Sequence, residues 1–317
     1  MNLRKNIINA MESISPFIRK TYFNYSLPFS QSLNNDIWFK LENLQYTGSF
    51  KVRGAFNKLL NMSITEKNKG VLSASTGNHG AALAYASKAL NLSCTIYVPT
   101  NASPTKLNNM KQLGAKIIFH GDDCVEAEKK ARDISLLEKK VYISPYNDLN
   151  VVSGQGTIGC EIVSQIDTPL DVLIISVGGG GLISGIASYI KSMWPNIYVI
   201  GCSPKNSAVM LHSIKAGNIL DLESEPTISD GTAGGVEDNS ITFSLCQELI
   251  DESVFVTEIE IKNAMVEYME KEHQLVEGAA GTAIAALKQK REFLKGKRVG
   301  VVVCGGNISM DTLKGVI

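Results

Sequence analysis

The clearest candidate for chemistry in this chain is a lysine beside an aromatic ring. Lys51 follows Phe50 and comes just before the helix-forming run 55–60. Burial next to apolar groups lowers the pKa of a lysine, because desolvation disfavours its charged form. The resulting neutral amine can attack an aldehyde and hold it as an imine. The alternative is a solvated surface lysine at the start of a helix.

A second candidate is a run of four glycines between a predicted strand, 172–177, and a helix predicted from Leu182. The backbone N–H groups of such a loop converge on an anion, and the helix start adds a favourable dipole. A Rossmann dinucleotide site is less suitable, because Ser184 replaces its last glycine and the next strand ends in Cys202 and Ser203 rather than an acid. A tight turn is the structural alternative. We expect a lone phosphate to be bound by Gly178, Gly179, Gly180 and Gly181.

Two further segments follow predicted strands. In the segment 75–80, hydroxyls, an amide and backbone N–H groups gather at a helix start and suit a substrate carboxylate. Asn78 can donate to a ring oxygen, whereas an ordinary N-cap by Ser75 or Thr76 is the alternative. The other segment begins at Cys304, which is a candidate nucleophile, a packing residue or a partner for a ring nitrogen. Histidine is the usual base for a nucleophilic cysteine, and no histidine lies nearby in sequence.

Alternating strands and helices must position these segments. The pattern predicts parallel sheets flanked by helices, with ligands bound where strands end and helices begin. Predicted strands cover 71–74, 94–98, 116–120, 141–143, 172–177, 197–202, 254–256 and 298–304. Predicted helices cover 81–89, 104–113, 125–137, 182–193, 261–269 and 281–290. At the N-terminus, helical spacing predicts a docked amphipathic helix through Ile7, Ile8, Met11 and Ile14.

Length and composition restrict the remaining choices. A chain of 317 residues suggests two domains. The 31 basic residues balance the 31 acidic ones, which disfavours nucleic acid or an anionic membrane as a partner. No apolar run could span a bilayer, and no secretory signal begins the chain. None of the six cysteines forms a C-x-x-C pair, so we expect no zinc ribbon and a reducing, cytoplasmic location.

In their order along the chain, these motifs resemble the fold-type II pyridoxal phosphate (PLP) enzymes of the serine/threonine dehydratase family. The resemblance includes Lys40-Leu41-Glu42, Ser49-Phe50-Lys51-Val52-Arg53-Gly54, the segment 75–80, Ser153-Gly154-Gln155-Gly156-Thr157, the glycine loop, Asp230-Gly231, Glu277 and Cys304-Gly305-Gly306-Asn307. It implies an α/β fold like that of the tryptophan synthase β-subunit. A large PLP-binding domain would span 1–67 plus 148–317, and a small substrate-loop domain 68–147.

The resemblance also implies roles for individual residues. Lys51 would be the Schiff-base lysine and the base at Cα, with Phe50 packed against the cofactor ring. Asn78 would bind the ring 3-hydroxyl, Cys304 would lie beside the pyridine nitrogen and Glu277 near the ring. The phosphate would be held by Gly178, Gly179, Gly180, Gly181 and the N–H of Leu182. The substrate carboxylate would be received by Ser75, Thr76, Asn78 and His79.

The expected reaction is β-elimination from a 3-hydroxy amino acid of the threonine or serine type, yielding a 2-oxo acid and ammonia. A thiol at the pyridine nitrogen does not enforce a pyridinium as an aspartate would, so the ring is a weak electron sink. Elimination suits such a sink because the electrons depart with the hydroxyl group, for which the cofactor phosphate is the obvious acid or base. Serine racemase activity, β-replacement and lyases acting on hydroxyaspartate or hydroxyectoine-pathway compounds are alternatives. A phosphate- or nucleotide-binding protein without catalysis is the alternative from another class.

The chain departs from the family pattern in several places. Thr76 replaces the racemases' serine base, which lowers the expectation of racemase activity, and His79 replaces the threonine usual in cysteine synthases. Thr232-Ala233-Gly234-Gly235 replaces the usual sequence of a loop that borders the substrate. The family's metal positions hold Ser203, Ser207 and Val209, so no metal is expected. A homodimer is expected, and because the sequence ends at Ile317 we expect no C-terminal regulatory domain.

Overall fold

The computed structural model describes residues 2–102 and 104–317. Within these ranges, ten strands form one six-stranded and one four-stranded sheet. In chain order the strands are β1 (Phe23–Tyr25), β2 (Asp36–Leu41), β3 (Val71–Ala74), β4 (Cys94–Val98), β5 (Lys116–Phe119), β6 (Val141–Tyr142), β7 (Val172–Ser176), β8 (Tyr198–Pro204), β9 (Glu252–Val256) and β10 (Arg298–Val303).

Helices alternate with most of these strands. Three short 3₁₀ helices lie at Ser15–Phe17, Glu42–Leu44 and Asp230–Thr232. The α-helices are α1 (Leu3–Ile14), α2 (Leu27–Leu33), α3 (Lys51–Leu60), α4 (Ile64–Lys69), α5 (Asn78–Ala89), α6 (Pro104–Gln112), α7 (Cys124–Glu138), α8 (Leu149–Gln165), α9 (Gly181–Met193), α10 (Val209–Ala216), α11 (Ile241–Leu249), α12 (Glu258–Glu272), α13 (Gly278–Gln289), α14 (Arg291–Leu294) and α15 (Met310–Lys314). Over the described residues, no helix is both long and apolar enough to cross a membrane.

The six-stranded sheet has the order β1-β2-β10-β7-β8-β9. Its strands are parallel except for β1, which pairs antiparallel with β2 at one edge. The carboxyl ends of β2, β7 and β10 therefore lie at one edge of the sheet. The chain leaves that edge toward Phe50, toward the glycine loop and toward Cys304.

The four-stranded sheet has the order β5-β4-β3-β6 and is parallel throughout. The segment 75–80 leaves the carboxyl end of its inner strand β3. The parallel α/β architecture predicted from the sequence is confirmed, and the predicted strand at 94–98 has the bounds of β4.

Apolar side chains form two main cores. The larger core packs around β2, β7, β8 and β10 and includes Ile174, Ile183 and Val301, which are fully buried. The second core lies against the four-stranded sheet and includes Val52 and Phe56 of α3. Helix α3, which begins at Lys51, thus contributes to the core of the smaller sheet, and its main neighbours are α8 and α5. The domain boundaries expected at residues 67/68 and 147/148 remain a prediction.

The buried face of the N-terminal helix α1 is narrower than the sequence predicted. Ile7 and Ile14 are fully buried and Ala10 lies between them, but Ile8 is 37% exposed. Residues 7, 10 and 14 follow the helical repeat, whereas position 8 is rotated out of that stripe. Ile8 was therefore a wrong member of the predicted buried face.

Candidate active site

A pocket lies where the strand ends converge. It contains ten of the residues that the sequence nominated. These are Phe50, Lys51, Asn78, Gly178, Gly179, Gly180, Gly181, Leu182, Glu277 and Cys304. They come from segments more than 200 residues apart in sequence, so the fold alone brings them together.

The amine of Lys51 lies inside this pocket. Its Nζ donates to the carbonyl oxygen of Pro145 at 3.1 Å and lies 5.2 Å from the centre of the Phe50 ring. Burial lowers the pKa of Lys51 to about 8, although the nearby Cys304 and Glu277 oppose this shift. The structure thus gives Lys51 the perturbed environment that the sequence indicated.

Backbone pairing fixes the position of Lys51. The N–H of Phe50 donates to the carbonyl of Cys304 at 3.1 Å, and Ser49 forms an antiparallel bridge with Gly305. The N–H of Gly306 donates to the carbonyl of Gly48 at 2.9 Å. These contacts hold the start of α3 against the end of β10, so Lys51 and Cys304 open into the same pocket.

The glycine loop turns from β7 into α9. Gly180 has a φ of +83°, a left-handed conformation that favours glycine. A Cβ on Gly179 would lie 2.4 Å from the ring of Tyr146, and one on Gly178 would lie 2.9 Å from the backbone of Thr232. Side chains would therefore fill the cradle. The first N–H groups of the 13-residue helix α9 have no carbonyl partner within the helix, which suits a phosphate.

A chain of hydrogen bonds orients Asn78. Its Nδ2 donates to both carboxylate oxygens of Glu277, at 2.8 and 3.0 Å. Its Oδ1 accepts from Nδ2 of Asn307 at 2.7 Å. The backbone N–H of Asn307 also donates to Glu277 at 3.1 Å. The amide of Asn78 therefore presents its donor toward Glu277 and the pocket, and its acceptor toward Asn307.

Cys304 is nearly fully buried at 2% exposure. Burial raises the pKa of its thiol well above the ordinary value, and the carboxylate of Glu277 raises it further. A protonated thiol is a poor nucleophile, so the nucleophile alternative for Cys304 is disfavoured. A neutral hydrogen-bonding or packing role remains.

Three nominated substrate residues do not line the pocket: Ser75, Thr76 and His79. The Oγ of Ser75 accepts from the N–H of Gly77 at 3.2 Å, and Gly77, not Ser75 or Thr76, is the N-cap of α5. The N-cap alternative is therefore wrong. The imidazole of His79 is buried, with Nε2 3.0 Å from the carbonyl of Ile143. Burial lowers the pKa of His79 to about 3, so its ring is neutral near pH 7. Substrate contacts by these residues remain predictions.

The pocket also contains five residues to which the sequence analysis had assigned no role in the site. They are Tyr146, Ser176, Gly231, Thr232 and Ala279. The Oγ of Ser176 is committed to the carbonyl of Ala279 at 2.6 Å. Gly231 and Thr232 lie in segments that the sequence analysis had singled out and Ser176 lies in a predicted strand, whereas no local motif marks Tyr146 or Ala279.

Two of the residues at the family's metal positions, Ser203 and Ser207, form hydrogen bonds with other groups of the protein. Ser203 Oγ donates to the carbonyl of Val177 at 2.7 Å, and the hydroxyls of Ser207 and Ser224 lie 2.8 Å apart. Over residues 2–102 and 104–317, no cluster of three or more His, Cys, Asp or Glu side chains could hold a metal ion.

These features fit one class of cofactor enzyme. A partly buried lysine of lowered pKa faces a glycine cradle with no room for side chains, and PLP requires both an amine and a phosphate site. A family model for pyridoxal-phosphate dependent enzymes matches residues 14–305. The chain belongs to this family, and the predicted fold class and cofactor are thereby confirmed.

Individual relatives narrow the class. The chain is 37% identical over 313 residues to an L-threonine ammonia-lyase of Thermotoga maritima, covering 99% of this chain and 77% of that protein. The processed form of threonine deaminase isoform 2 from Solanum lycopersicum has a TM-score of 0.94 and 32% identity, covering 99% and 92% of the two chains. Maize serine racemase has a TM-score of 0.92 and 31% identity, covering 98% and 95%. The predicted enzyme class, a PLP-dependent lyase of the dehydratase type, is confirmed.

Proposed function

We propose that this lyase converts L-threonine or L-serine to the corresponding 2-oxo acid and ammonia. The observation that carries the proposal is the amine of Lys51, which lies in one pocket with the glycine cradle and the protonated thiol of Cys304. The names of the T. maritima and S. lycopersicum relatives support the substrate class.

Each group has a role in this proposal. When bound, PLP withdraws electrons from the bond between Cα and its hydrogen. Lys51 would hold the cofactor through its amine and, once the amine of the substrate has replaced it there, would be free to accept the Cα proton, for which its lowered pKa is suited. The loop from Gly178 to Gly181, with the N–H of Leu182, binds the phosphate. Phe50 packs against the ring, while Asn78 and Glu277 bind at its polar edge.

The charge of the pocket favours substrates with an uncharged side chain. Among the described residues that line it, Lys51 is the single cationic side chain, and it is assigned to the cofactor. The lining would offer the second carboxylate of 3-hydroxyaspartate no further cation to pair with, and it already contains the carboxylate of Glu277. Serine and threonine impose no such cost.

Racemisation is the second candidate, favoured by the similarity to maize serine racemase. Racemisation requires a proton donor on the face opposite Lys51. We place Thr76 as the nearest counterpart of such a donor. Its β-branched side chain is restricted in rotation, so we expect elimination to outpace racemisation.

The substrate contacts, the domain division, the cellular location and the oligomeric state belong to the same proposal. The substrate carboxylate is received by Ser75, Thr76, Asn78 and His79, the last through its backbone N–H. The chain comprises the large domain 1–67 plus 148–317 and the small domain 68–147. It works in the cytoplasm as a homodimer. The buried cysteines Cys94, Cys202 and Cys246 form no disulfides, which suits a reducing compartment.

The direct test is turnover by the PLP-loaded protein. L-serine, L-threonine and 3-hydroxyaspartate are assayed for 2-oxo acid and ammonia, and residual serine is resolved by chirality. We expect 2-oxo acid from serine or threonine, little from 3-hydroxyaspartate, and no turnover by Lys51→Ala. Lys58→Ala, on the same helix, serves as the control. D-serine forming faster than 2-oxo acid would instead establish a racemase, and no turnover of any hydroxy amino acid would overturn the proposal.

A further inference from the structure

The carboxylate of Glu237 joins three parts of the molecule. Asn147 Nδ2 donates to its Oε2 at 2.9 Å, and Ser144 Oγ donates to its Oε1 at 3.3 Å. Arg132 of α7 lies 3.0 Å from the same Oε1. The backbone N–H of Glu237 in addition donates to the hydroxyl of Tyr146 at 2.9 Å. Glu237 itself is not among the residues that line the pocket.

The segment 144–147, to which Glu237 is hydrogen-bonded, forms one wall of the pocket through Tyr146. Its Pro145 carbonyl accepts the hydrogen bond from Lys51 at 3.1 Å. The ring of Tyr146 packs so closely on the glycine loop that a Cβ on Gly179 would lie 2.4 Å from it. A shift of this segment would therefore move both the partner of the reactive amine and the packing of the phosphate loop.

The loop that carries Glu237 forms a second wall of the pocket through Gly231 and Thr232. Between the end of α10 at residue 216 and the start of α11 at residue 241, its regular structure is the 3₁₀ turn Asp230–Thr232. Thr232 contacts the glycine loop, because a Cβ on Gly178 would lie 2.9 Å from its backbone. A loop with so little backbone pairing depends on side-chain contacts to hold one conformation.

Besides its ion pair with Arg132, Glu237 makes three hydrogen bonds that an ordinary surface ion pair would lack. The ion pair with Arg132 is partly exposed and contributes little by itself. The bonds to Asn147, Ser144 and Tyr146 instead connect two walls that are about 90 residues apart in sequence. The Oδ1 of Asn147 also accepts from the N–H of Ile241 at 2.9 Å, which extends the connection to the start of α11.

We propose that Glu237 is a positioning residue that fastens the loop 230–240 to the segment 144–147 and so holds Tyr146, the Pro145 carbonyl and the glycine loop in place. The proposal rests on the proposed function for its link to cofactor and substrate. Loss of the carboxylate loosens both walls. Cofactor retention and substrate affinity then fall more than the rate of the chemical step.

The chain provides a matched control in Glu128. This residue binds the same guanidinium from within α7, with Oε1 2.9 Å from Nε and 2.7 Å from Nη2 of Arg132. Glu128→Gln weakens the pairing of Arg132 and leaves the hydrogen bonds between Glu237 and the segment 144–147 in place. Glu237→Ala removes the carboxylate, and Glu237→Gln keeps a side chain of the same size that can still hydrogen-bond Asn147 and Ser144.

The experiment compares the three variants with the wild type, after circular dichroism establishes that each is folded. Amide hydrogen exchange is measured on the PLP-free proteins. Glu237→Ala should speed exchange in 144–147, 178–182 and 230–240 by about tenfold, the equivalent of one to two lost hydrogen bonds. In the loaded enzymes, PLP dissociation and KM should rise by about five- to tenfold with kcat changed less than about threefold, and Glu237→Gln should restore part of each. Glu128→Gln should match the wild type.

Two outcomes overturn the proposal. The first is wild-type exchange and PLP retention in folded Glu237→Ala. The second is an equal loss in Glu128→Gln, which would assign the effect to the stability of α7. If the wild type takes up no PLP, the proposed function fails, while hydrogen exchange in the PLP-free proteins still tests Glu237.

Discussion

The amine of Lys51 is the residue on which the chemistry depends. With a pKa of about 8 instead of 10.5, about a tenth of this amine is neutral at pH 7. The lowered pKa is caused by burial, which the fold imposes by holding the start of α3 against the end of β10. The pKa of Lys51 is lowered because burial disfavours its charged form in the folded state.

Lys51 should therefore react as an amine with a midpoint near pH 8. Between about pH 8 and 10.5 the unfolded chain keeps a proton that the folded chain has lost, so the cost of burying this charge declines as the pH rises. Competitive acetylation of the PLP-free protein across this range, read by mass spectrometry, measures the midpoint. Surface lysines provide the internal reference, and a midpoint at about pH 10 or above would contradict the account.

Asn307 should matter for the cofactor although its side chain is exposed. It donates to Asn78 Oδ1 at 2.7 Å and to the carbonyl of Thr47 at 2.8 Å, and thereby fixes which way the amide of Asn78 faces. Asn307→Ala should weaken PLP binding by about fivefold, corresponding to one hydrogen bond, as measured by equilibrium dialysis. Asn218→Ala, an exposed asparagine bonded to Ile219, is the control. Unchanged PLP affinity in Asn307→Ala would show that the cofactor does not depend on the orientation of Asn78 by Asn307.

Single residues differ in how far the sequence could identify them. Lys51 and the glycine loop were identifiable because each motif is complete within a few consecutive residues. Tyr146 and Glu237 were not, because their importance comes from contacts with the glycine loop and with each other across the chain. The nomination of His79 as a substrate contact stays a prediction, and the sequence could not show that its imidazole lies against the carbonyl of Ile143, because that direction depends on tertiary packing.

At the scale of elements, a buried charge cluster holds β2, α3 and α8 together. Arg53 binds Glu42 at 2.8 Å and Glu161 at 2.7 Å, and Lys40 also binds Glu161, with all four side chains fully buried. Burial alone would raise the pKa of Glu161, but the charges of Arg53 and Lys40 outweigh it and hold that pKa below its usual value. Arg53 lies two residues after Lys51, so the cluster anchors the start of α3.

Arg53→Met should destabilise the protein by about 3–5 kcal/mol, because it leaves two buried carboxylates without their main partner. Urea denaturation of the PLP-free protein measures the change. Lys191→Met, which breaks the partly exposed pair with Asp251, is the control and should cost at most about 1 kcal/mol. Equal losses in the two variants would show that the buried cluster does not anchor these elements.

Helix α8 was absent from the predicted elements for a physical reason. It contains Gly154, Gly156 and Gly159, which lower intrinsic helix propensity. A Cβ on Gly154 would lie 2.6 Å from the carbonyl oxygen of Arg53, so glycine allows α8 to approach α3 closely. Strands β1 and β2 were missed as well, since β1 has three residues and β2 carries the buried Lys40. Tertiary packing overrides local preference in each case.

At the scale of the whole molecule, two sheets direct their carboxyl edges toward one pocket. The larger sheet contributes the glycine loop and Cys304, and the smaller one contributes Asn78. Helix α3 carries Lys51 from one edge while packing on the core of the other. The alternation of strands and helices predicted this arrangement in outline, but the sequence could not give the order of the strands or the pairing of Ser49 with Gly305.

The most direct test is to trap the link between Lys51 and PLP. The protein is incubated with PLP, reduced with borohydride, digested and analysed by mass spectrometry. The account predicts one dominant adduct on the peptide that contains Lys51, retained in Lys58→Ala and lost in Lys51→Ala. A reduced protein without an adduct, or with adducts spread over surface lysines and unchanged in Lys51→Ala, would contradict it.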